Sequence, residues 1–309
     1  MNKEKSLSFK SLALALLVMA LWGSLFPMIK IGYGAFGIDT SVIPDIIVFA
    51  SLRFLVSGAV VCIIARVRKA PIERPFKKSV LPILGVAAFT IFLHYMLTYV
   101  GLSVTDSSKT ALLKQIASLV YVCFAFLFIR SETFNPFKIV GAVIGFLGIV
   151  AINFDGKGVH FAPGDLIILG ASVMSVVGMV FSKKSVERAS SFWVTGISQL
   201  LGGAALLLVG LIMGGRFPQP SFAAILVFLY ICTASISAYV LHGYIQKTES
   251  NSRLLIIKFA EPLFACLFGA LFLGEEIFKW QYLIAFILIS VGIVLGGMKK
   301  EKRVKISKK

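Results

Sequence analysis

Apolar residues dominate the chain in long runs, and short polar or basic segments separate these runs. Most of the runs are about 20 residues long, which is the length that crosses the hydrocarbon core of a bilayer as a helix. They do not alternate in segments of about ten, as the strands of a membrane β-barrel would. The runs cover approximately residues 12–31, 44–65, 80–103, 108–129, 136–153, 165–182, 192–213, 221–244, 252–273 and 279–297. The pattern predicts an all-α integral membrane protein with ten transmembrane helices.

Composition agrees with a membrane protein and disfavours metal or cofactor chemistry. The chain is 58% hydrophobic and 15% charged, whereas soluble chains are about 45–50% apolar. Four cysteines and three histidines occur, and none of the cysteines shows the paired spacing of a metal or redox site. The sequence also has no nucleotide-binding loop. We therefore expect no cofactor, no metal and no ATP-driven pump.

The net charge of +17 is concentrated in the short loops and tails. Of the 31 Lys and Arg residues, 23 fall in segments on the side of the N-terminus and five fall on the opposite side. Basic residues accumulate in cytoplasmic loops, so both termini are expected inside the cell and the chain in the cell (inner or plasma) membrane. The same distribution makes the lipid bilayer, and not nucleic acid, the expected surroundings of this charge.

The stretch around Lys114 recurs 144 residues later around Lys258. Aligning 107–150 with 251–294 without gaps gives eleven identical positions of 44, including Ser108 with Ser252 and Glu132 with Glu276. Each half holds five apolar runs, and an odd number inserts the second copy upside down. The sequence therefore predicts two inverted five-helix repeats, 1–154 and 155–298, followed by a basic cytoplasmic tail, 299–309. Such repeats place a substrate site near the membrane midplane.

Several short motifs resemble the EamA-type members of the drug/metabolite transporter superfamily. They are Leu21-Trp22-Gly23-Ser24 with Lys30, Arg53-Phe54, Ala111-Leu112-Leu113, Glu132 followed by Gly141 and Gly148, and Glu261-Pro262 with Leu273-Gly274-Glu275. Their order, more than any single motif, carries the resemblance, and it implies a ten-helix transporter. It names no substrate, because the family carries amino acids, sugars, nucleobases and drugs. Ser118 stands where the second copy has Pro262, and Lys114 and Lys258 are not general family features.

Lys114 and Lys258 are the leading candidates for a binding site. Each lies about 10 Å inside its run at 1.5 Å per residue, from opposite faces of the membrane. A lysine at the centre of a span costs about 2.5–3.5 kcal/mol, so it should face a cavity or a partner. A cationic cavity for a carboxylate or phosphate is one interpretation, and snorkelling to the interface is another. Glu261 could neutralise Lys258 from one helical turn away, whereas Lys114 has no such neighbour.

Further polar and aromatic residues within the runs are candidates for the same site. Arg53 either contacts the substrate or holds a carbonyl or helix end. Gln115 and Gln199 either orient a ligand or tie helices together. Aromatic residues with polar groups either line a cavity or serve packing and interfacial belts. These are Trp22, Tyr95 and Tyr239, of which the two tyrosines correspond under the 144-residue offset.

The sequence thus predicts a membrane transporter that moves a small anionic or zwitterionic metabolite outward by alternating access. A drug or organic-cation exporter of the same fold is the alternative, and it would need carboxylates in the cavity. An intramembrane enzyme is disfavoured because the histidines have no nearby acids. Coupling to protons or to a counter-substrate, and a homodimeric state, are left open by the sequence.

Overall fold

The computed structural model describes residues 9–297 except 72–75, 118, 121–135, 153, 155–160, 187, 249–256 and 259. Its regular elements are helices throughout, which confirms the all-α class. In chain order they are α1 (Phe9–Ala35), α2 (Ile43–Val67), α3 (Phe76–Gly85), a π-helical segment (Val86–Leu93), α4 (His94–Ser103), α5 (Ser107–Lys114), α6 (Pro136–Ile152), α7 (Pro163–Val186), α8 (Ser191–Ile212), α9 (Phe222–Thr248), α10 (Ala260–Leu273) and α11 (Trp280–Gly297).

Six helical stretches of the described chain are long and apolar enough to cross a membrane. They are Ser11–Ala35, Ile43–Val67, Val80–Ser103, Pro163–Val186, Ser191–Ile212 and Phe222–His242. Shorter apolar helices occupy Ile139–Ala151, Ala260–Leu273 and Trp280–Gly292. The end of the predicted fourth run, 121–129, and the start of the ninth, 252–256, lie outside the described residues, as does Glu132. Ten spans therefore stay a prediction.

The third predicted run, one continuous apolar segment in the sequence, changes its helical geometry in the middle. Between α3 and α4 the backbone is π-helical, and the His94 N–H bonds to the Phe89 carbonyl five residues earlier. Such wide turns are rare and often occur at functional sites. This one immediately precedes His94 and Tyr95, which places an irregular backbone next to a predicted site residue.

Helix packing is symmetric when the two halves are exchanged. Helix α2 lies along α8, and α6 lies along α11, so each pair joins equivalent helices of the two copies. Helix α1 packs on α9 and α10, and correspondingly α7 packs on the α3–α4 segment and on α5. The internal repeat seen in the sequence is therefore repeated in the contacts, and repeat-related residues meet along the interface between the halves.

Glycines allow the paired helices to approach closely. A Cβ atom at Gly148 would lie 2.7 Å from Ile289 Cγ1, and one at Gly292 would lie 2.5 Å from the Gly141 carbonyl oxygen. At Gly145 it would collide with Leu119. Gly141, Gly145 and Gly148 of α6 thus serve close helix packing.

Candidate substrate site between the two halves

Both repeated lysines lie where a helix is interrupted. Helix α5 ends at Lys114, Gln115 forms a tight turn, and helical residues resume at Ile116. In the second copy Ile257 is helical, Lys258 is in a turn, and α10 begins at Ala260. Interrupted helices expose backbone groups inside a membrane protein, which is tolerated where those groups are enclosed or line a cavity.

Pro262 explains the interruption at Lys258. A proline has no backbone N–H, and its ring clashes with the carbonyl four residues earlier, which here is that of Lys258. The Lys258 carbonyl instead accepts from the Glu261 N–H at 3.1 Å. It also accepts from Gln115 Nε2, in the other half of the chain, at 3.4 Å. The two interruptions are thereby hydrogen-bonded to each other, and Gln115 serves as a tie between the halves.

The ammonium of Lys114 lies against aromatic faces. Its Nζ is 5.0 Å from the centroid of the Phe26 ring and 5.5 Å from that of the Tyr95 ring. Glu261, Lys258 and Arg53 are near enough to act on it electrostatically. Among the described residues, Lys114 therefore lies in the electrostatic range of the second-copy residues Lys258 and Glu261.

Lys258 and Glu261 do not form the ion pair that their spacing allows. In the described part of the chain, the ion pairs at 4.0 Å or less join Lys30 to Glu275 and Lys109 to Asp165. A pair of residues three positions apart needs a continuous helix, and the turn at Lys258 removes that geometry. Glu261 is 7% exposed, and its charge also acts on Lys114.

Tyr95 and Tyr239, equivalent residues of the two copies, meet at the interface. Their hydroxyl oxygens are 2.6 Å apart, a hydrogen bond between residues 144 positions apart in the sequence. Trp22 packs its ring edge-on against Tyr239 at 5.7 Å and lies 4.9 Å from His242. Its indole nitrogen is buried without a partner among the described residues. These rings form an aromatic wall beside the lysines.

Arg53 is fully buried and holds three helices together. Its Nη1 donates to the Tyr99 hydroxyl at 2.8 Å and its Nη2 to the Ser235 hydroxyl at 2.9 Å. The guanidinium also lies 4.8 Å from the Phe54 ring centroid and 5.4 Å from that of Tyr95. Sequence reasoning did not single out Ser235 as a partner, because a serine in an apolar run carries no signal of its own. These bonds link α2, α4 and α9 near Tyr95.

Gln199 and His94 lie in contacts between helices. Gln199 is fully buried, and both its amide atoms lack partners among the described residues. Its neighbours Gly196 and Gly203 pack against α2, which places it in the α2–α8 contact, and its role in a site stays a prediction. His94 donates from Nδ1 to the Ala171 carbonyl at 2.7 Å, a structural bond between α4 and α7.

A helical bundle that encloses charged residues between two similar halves is the architecture of secondary transporters. The model of the EamA-like transporter family matches residues 9–154 and 162–297. The chain belongs to this family, as its motifs indicated. It is a membrane transporter of the drug/metabolite superfamily, and not an enzyme.

Similar proteins cover nearly the whole chain. The uncharacterized transporter YvbV of Bacillus subtilis is 27% identical over 94% of this chain and 92% of its own length. The uncharacterized inner membrane transporter YedA of Escherichia coli K12 is 25% identical over 90% and 88%. One crystal structure superposes with a TM-score of 0.62 at 20% identity, over 93% of this chain and 96% of its own. That likeness concerns the fold alone.

Proposed function

We propose that this transporter moves a small anionic or zwitterionic metabolite out of the cell by alternating access. In this account, residues 1–154 and 155–298 are inverted five-helix units, and the tail 299–309 is cytoplasmic. Lys114 and Lys258 approach the midplane from the two halves and bind the negative group of the substrate.

The observation that carries this proposal is the position of the Lys114 ammonium. No carboxylate of the described chain lies within 4.0 Å of its Nζ, which lies over the faces of the Phe26 and Tyr95 rings. Among the described residues that act on it electrostatically, Lys258 and Arg53 are cationic and Glu261 is the carboxylate. Positive charge in excess within a membrane-spanning bundle is costly, so a bound anion would stabilise this group of residues.

The remaining candidates fit roles around that anion. Glu261 would hold an ammonium group if the substrate is zwitterionic, and Tyr95, Tyr239 and Trp22 would pack on its body. Gln115 would keep the two interrupted helices in register. Arg53 would keep α2, α4 and α9 together beside the site and would not contact the substrate, because its guanidinium already donates to Tyr99 and Ser235.

Export of an organic cation is the alternative, and the aromatic wall with Glu261 favours it, since ring faces attract cations. Lys114, however, already lies over two of these rings. Its charge would repel a second cation, so the anionic substrate is the stronger proposal.

The distribution of Lys and Arg over the loops supports an orientation with both termini in the cytoplasm. A relative from Escherichia coli is described as an inner membrane transporter, which supports the same location for this chain. Exchange against a proton or a counter-substrate would supply the energy for export, and a homodimer is compatible with the exposed apolar faces.

Uptake into reconstituted vesicles tests the site. Parent protein, Lys114→Ala and Lys114→Gln are compared for transport of a panel of carboxylates, amino acids and sugar phosphates. Lys279→Ala is the matched control, because this lysine lies in a loop and contacts Tyr282. Loss of transport in both Lys114 variants, with Lys279→Ala unaffected, supports the assignment. Unchanged transport of every anionic candidate in folded Lys114 variants refutes it.

A further inference from the structure

The carboxylate of Glu275 binds the first turn of α5. Its Oε1 accepts from the Ser107 N–H at 2.8 Å, and its Oε2 accepts from the Ser108 N–H at 2.9 Å and the Ser108 hydroxyl at 2.6 Å. Lys30 Nζ lies 3.9 Å from Oε1, and the Glu275 side chain is 9% exposed. Hydrogen bonds to an ionised group are about twice as strong as neutral ones. We call this set of interactions the Glu275 contact.

The end of α10 is shaped to deliver this carboxylate. Gly274 has a φ of +65°, a left-handed conformation that a glycine adopts without steric cost. The Gly274 N–H bonds to the Ala270 carbonyl and the Glu275 N–H to the Gly269 carbonyl, which closes the helix and turns the chain. A Cβ at Gly269 would lie 2.7 Å from Glu275 Oε2. Gly274 therefore permits the turn, and Gly269 leaves room for the carboxylate.

Helix α5 depends on this contact because its own cap is missing. Asp106 occupies the N-cap position, but its side chain makes no capping bond. The N–H groups of the first turn, which have no partner within the helix, bond instead to Glu275 from the other half of the chain. Since α5 ends at Lys114, the Glu275 contact holds the helix that carries this lysine.

A second ion pair holds the same helix to the same half. Lys109 Nζ is 2.8 Å from Asp165 Oδ2, which also accepts from the Ala162 N–H at 2.9 Å. Asp165 is at the start of α7 and is buried. At the end of the bundle where α5 begins, two carboxylates of the second half thus fix the first turns of α5.

The Glu275 carboxyl is suited to remain ionised here. Burial raises its pKa, but the hydrogen bonds from Ser108 and Ser107 outweigh burial and bring the pKa below its ordinary value. The contact is therefore present at neutral pH and would have to be broken by movement, not by protonation.

We propose that Glu275 is the positioning residue of an outer gate. Bound to α5, it closes the two halves against each other on the outer side, and its release from Ser107 and Ser108 opens the site to that side. The inference rests on the proposed orientation, which places the start of α5 and the end of α10 outside. It is independent of the substrate.

Labelling of a native cysteine tests the gate without a substrate. Cys266 lies on α10, with its thiol facing the Ser108 side chain. Cys62, Cys123 and Cys232 are replaced by serine, and right-side-out vesicles are treated with a membrane-impermeant sulfonate methanethiosulfonate. Glu275→Gln is expected to label faster by about tenfold or more. Ser108→Ala should label faster by a smaller factor, and it keeps the test available if Glu275→Gln does not accumulate. Glu276→Gln, a matched change at the exposed neighbour, should label at the parent rate.

A second reporter separates gating from general loosening. Ala260→Cys, with Cys266 also replaced, is placed at the opposite end of α10 and labelled from the cytoplasmic side in inverted vesicles. If Glu275→Gln opens the protein to the outside, the cytoplasmic side closes, and the cysteine at position 260 is labelled more slowly than in the parent. The proposal is overturned if Cys266 labels at the parent rate in Glu275→Gln and Ser108→Ala, or if both reporters label faster. That result would leave the Lys114 site untouched, because ligand binding tests it separately.

Discussion

The two copies of the lysine stretch interrupt their helices with different chemistry. In the second copy Pro262 prevents a helical bond to the Lys258 carbonyl, and the turn falls at Lys258. In the first copy Ser118 stands at the place of the proline, and the turn falls one residue later, at Gln115. Gln115 then donates to the Lys258 carbonyl, which cannot accept a helical bond from Pro262. One half supplies the acceptor and the other half supplies the donor.

This difference separates the roles of two lysines that the repeat makes equivalent. Lys258 contributes its backbone to the tie between the halves, whereas the side chain of Lys114 lies against the Phe26 and Tyr95 rings. A repeated sequence therefore need not give two equal binding residues. We expect Lys114 to carry most of the interaction with the anion.

The largest effect should come from the lysines themselves. Lys114→Ala removes a charge-assisted bond worth about 1.5–3 kcal/mol, which corresponds to about 10- to 100-fold weaker binding. Lys258→Ala should cost less, because its backbone carbonyl remains. The dissociation constant of the substrate identified in the uptake assay is measured for the parent and for both variants. An equal loss of substrate affinity in the two variants would contradict the different roles of Lys114 and Lys258.

Packing of α1 against the second interruption should have the next largest effect. A Cβ at Gly23 would lie 2.8 Å from the Glu261 carbonyl oxygen and 2.9 Å from the Ala265 nitrogen. These are backbone atoms, which cannot move without shifting α10. Gly23→Ala should therefore destabilise the protein by about 1–3 kcal/mol. Gly34→Ala on the same helix meets nothing within 4 Å and should be neutral or stabilising. Thermal unfolding in detergent compares the pair, and equal melting temperatures would argue against this packing.

The tie between the halves should contribute a smaller amount. Gln115→Leu removes one hydrogen bond and should cost about 0.5–1.5 kcal/mol. Pro262→Ala supplies an N–H that can bond to the Lys258 carbonyl, so Gln115→Leu should cost less in that background. A double-mutant cycle on unfolding free energy measures the coupling. Additive effects would show that Gln115 and this carbonyl are not coupled.

The smallest effect concerns pH at the Glu275 contact, where Lys30, Cys266 and Tyr282 also face the carboxylate. Because the pKa of Glu275 is lowered on folding, its stabilisation is present above the unfolded value of about 4.3 and is lost as pH falls through the lower folded value. The melting temperature of the parent should fall more steeply below about pH 4.3 than that of Glu275→Gln. Parallel curves would contradict this.

Apolar runs and the repeat predicted much of this molecule. Run lengths placed most of the helices, and the 144-residue offset paired Tyr95 with Tyr239 before their hydroxyls were seen to meet. These features can be predicted from the sequence because they depend on local hydropathy and on the similarity between its two halves.

Other parts of the site depend on contacts that no local pattern encodes. The i+3 spacing of Glu261 suggested a pair with Lys258, but the turn caused by Pro262 removes the continuous helix that such a pair needs. Gln115 and Glu275 act across the halves on backbone groups, and backbone acceptors and donors leave no mark in a sequence. Likewise, Ser235 is identified as a partner of Arg53 only by the packing of α2 on α9.

A thermal-stability screen of the purified protein tests the central claim most directly. Acids, amines, amino acids and sugar phosphates are added to the parent, Lys114→Ala and Lys279→Ala, since a ligand at a hundredfold excess over its Kd stabilises the native state by about 2.7 kcal/mol. The account predicts that an anionic or zwitterionic compound raises the melting temperature of the parent and of Lys279→Ala but not of Lys114→Ala. Stabilisation by organic cations alone, undiminished in Lys114→Ala, would contradict it.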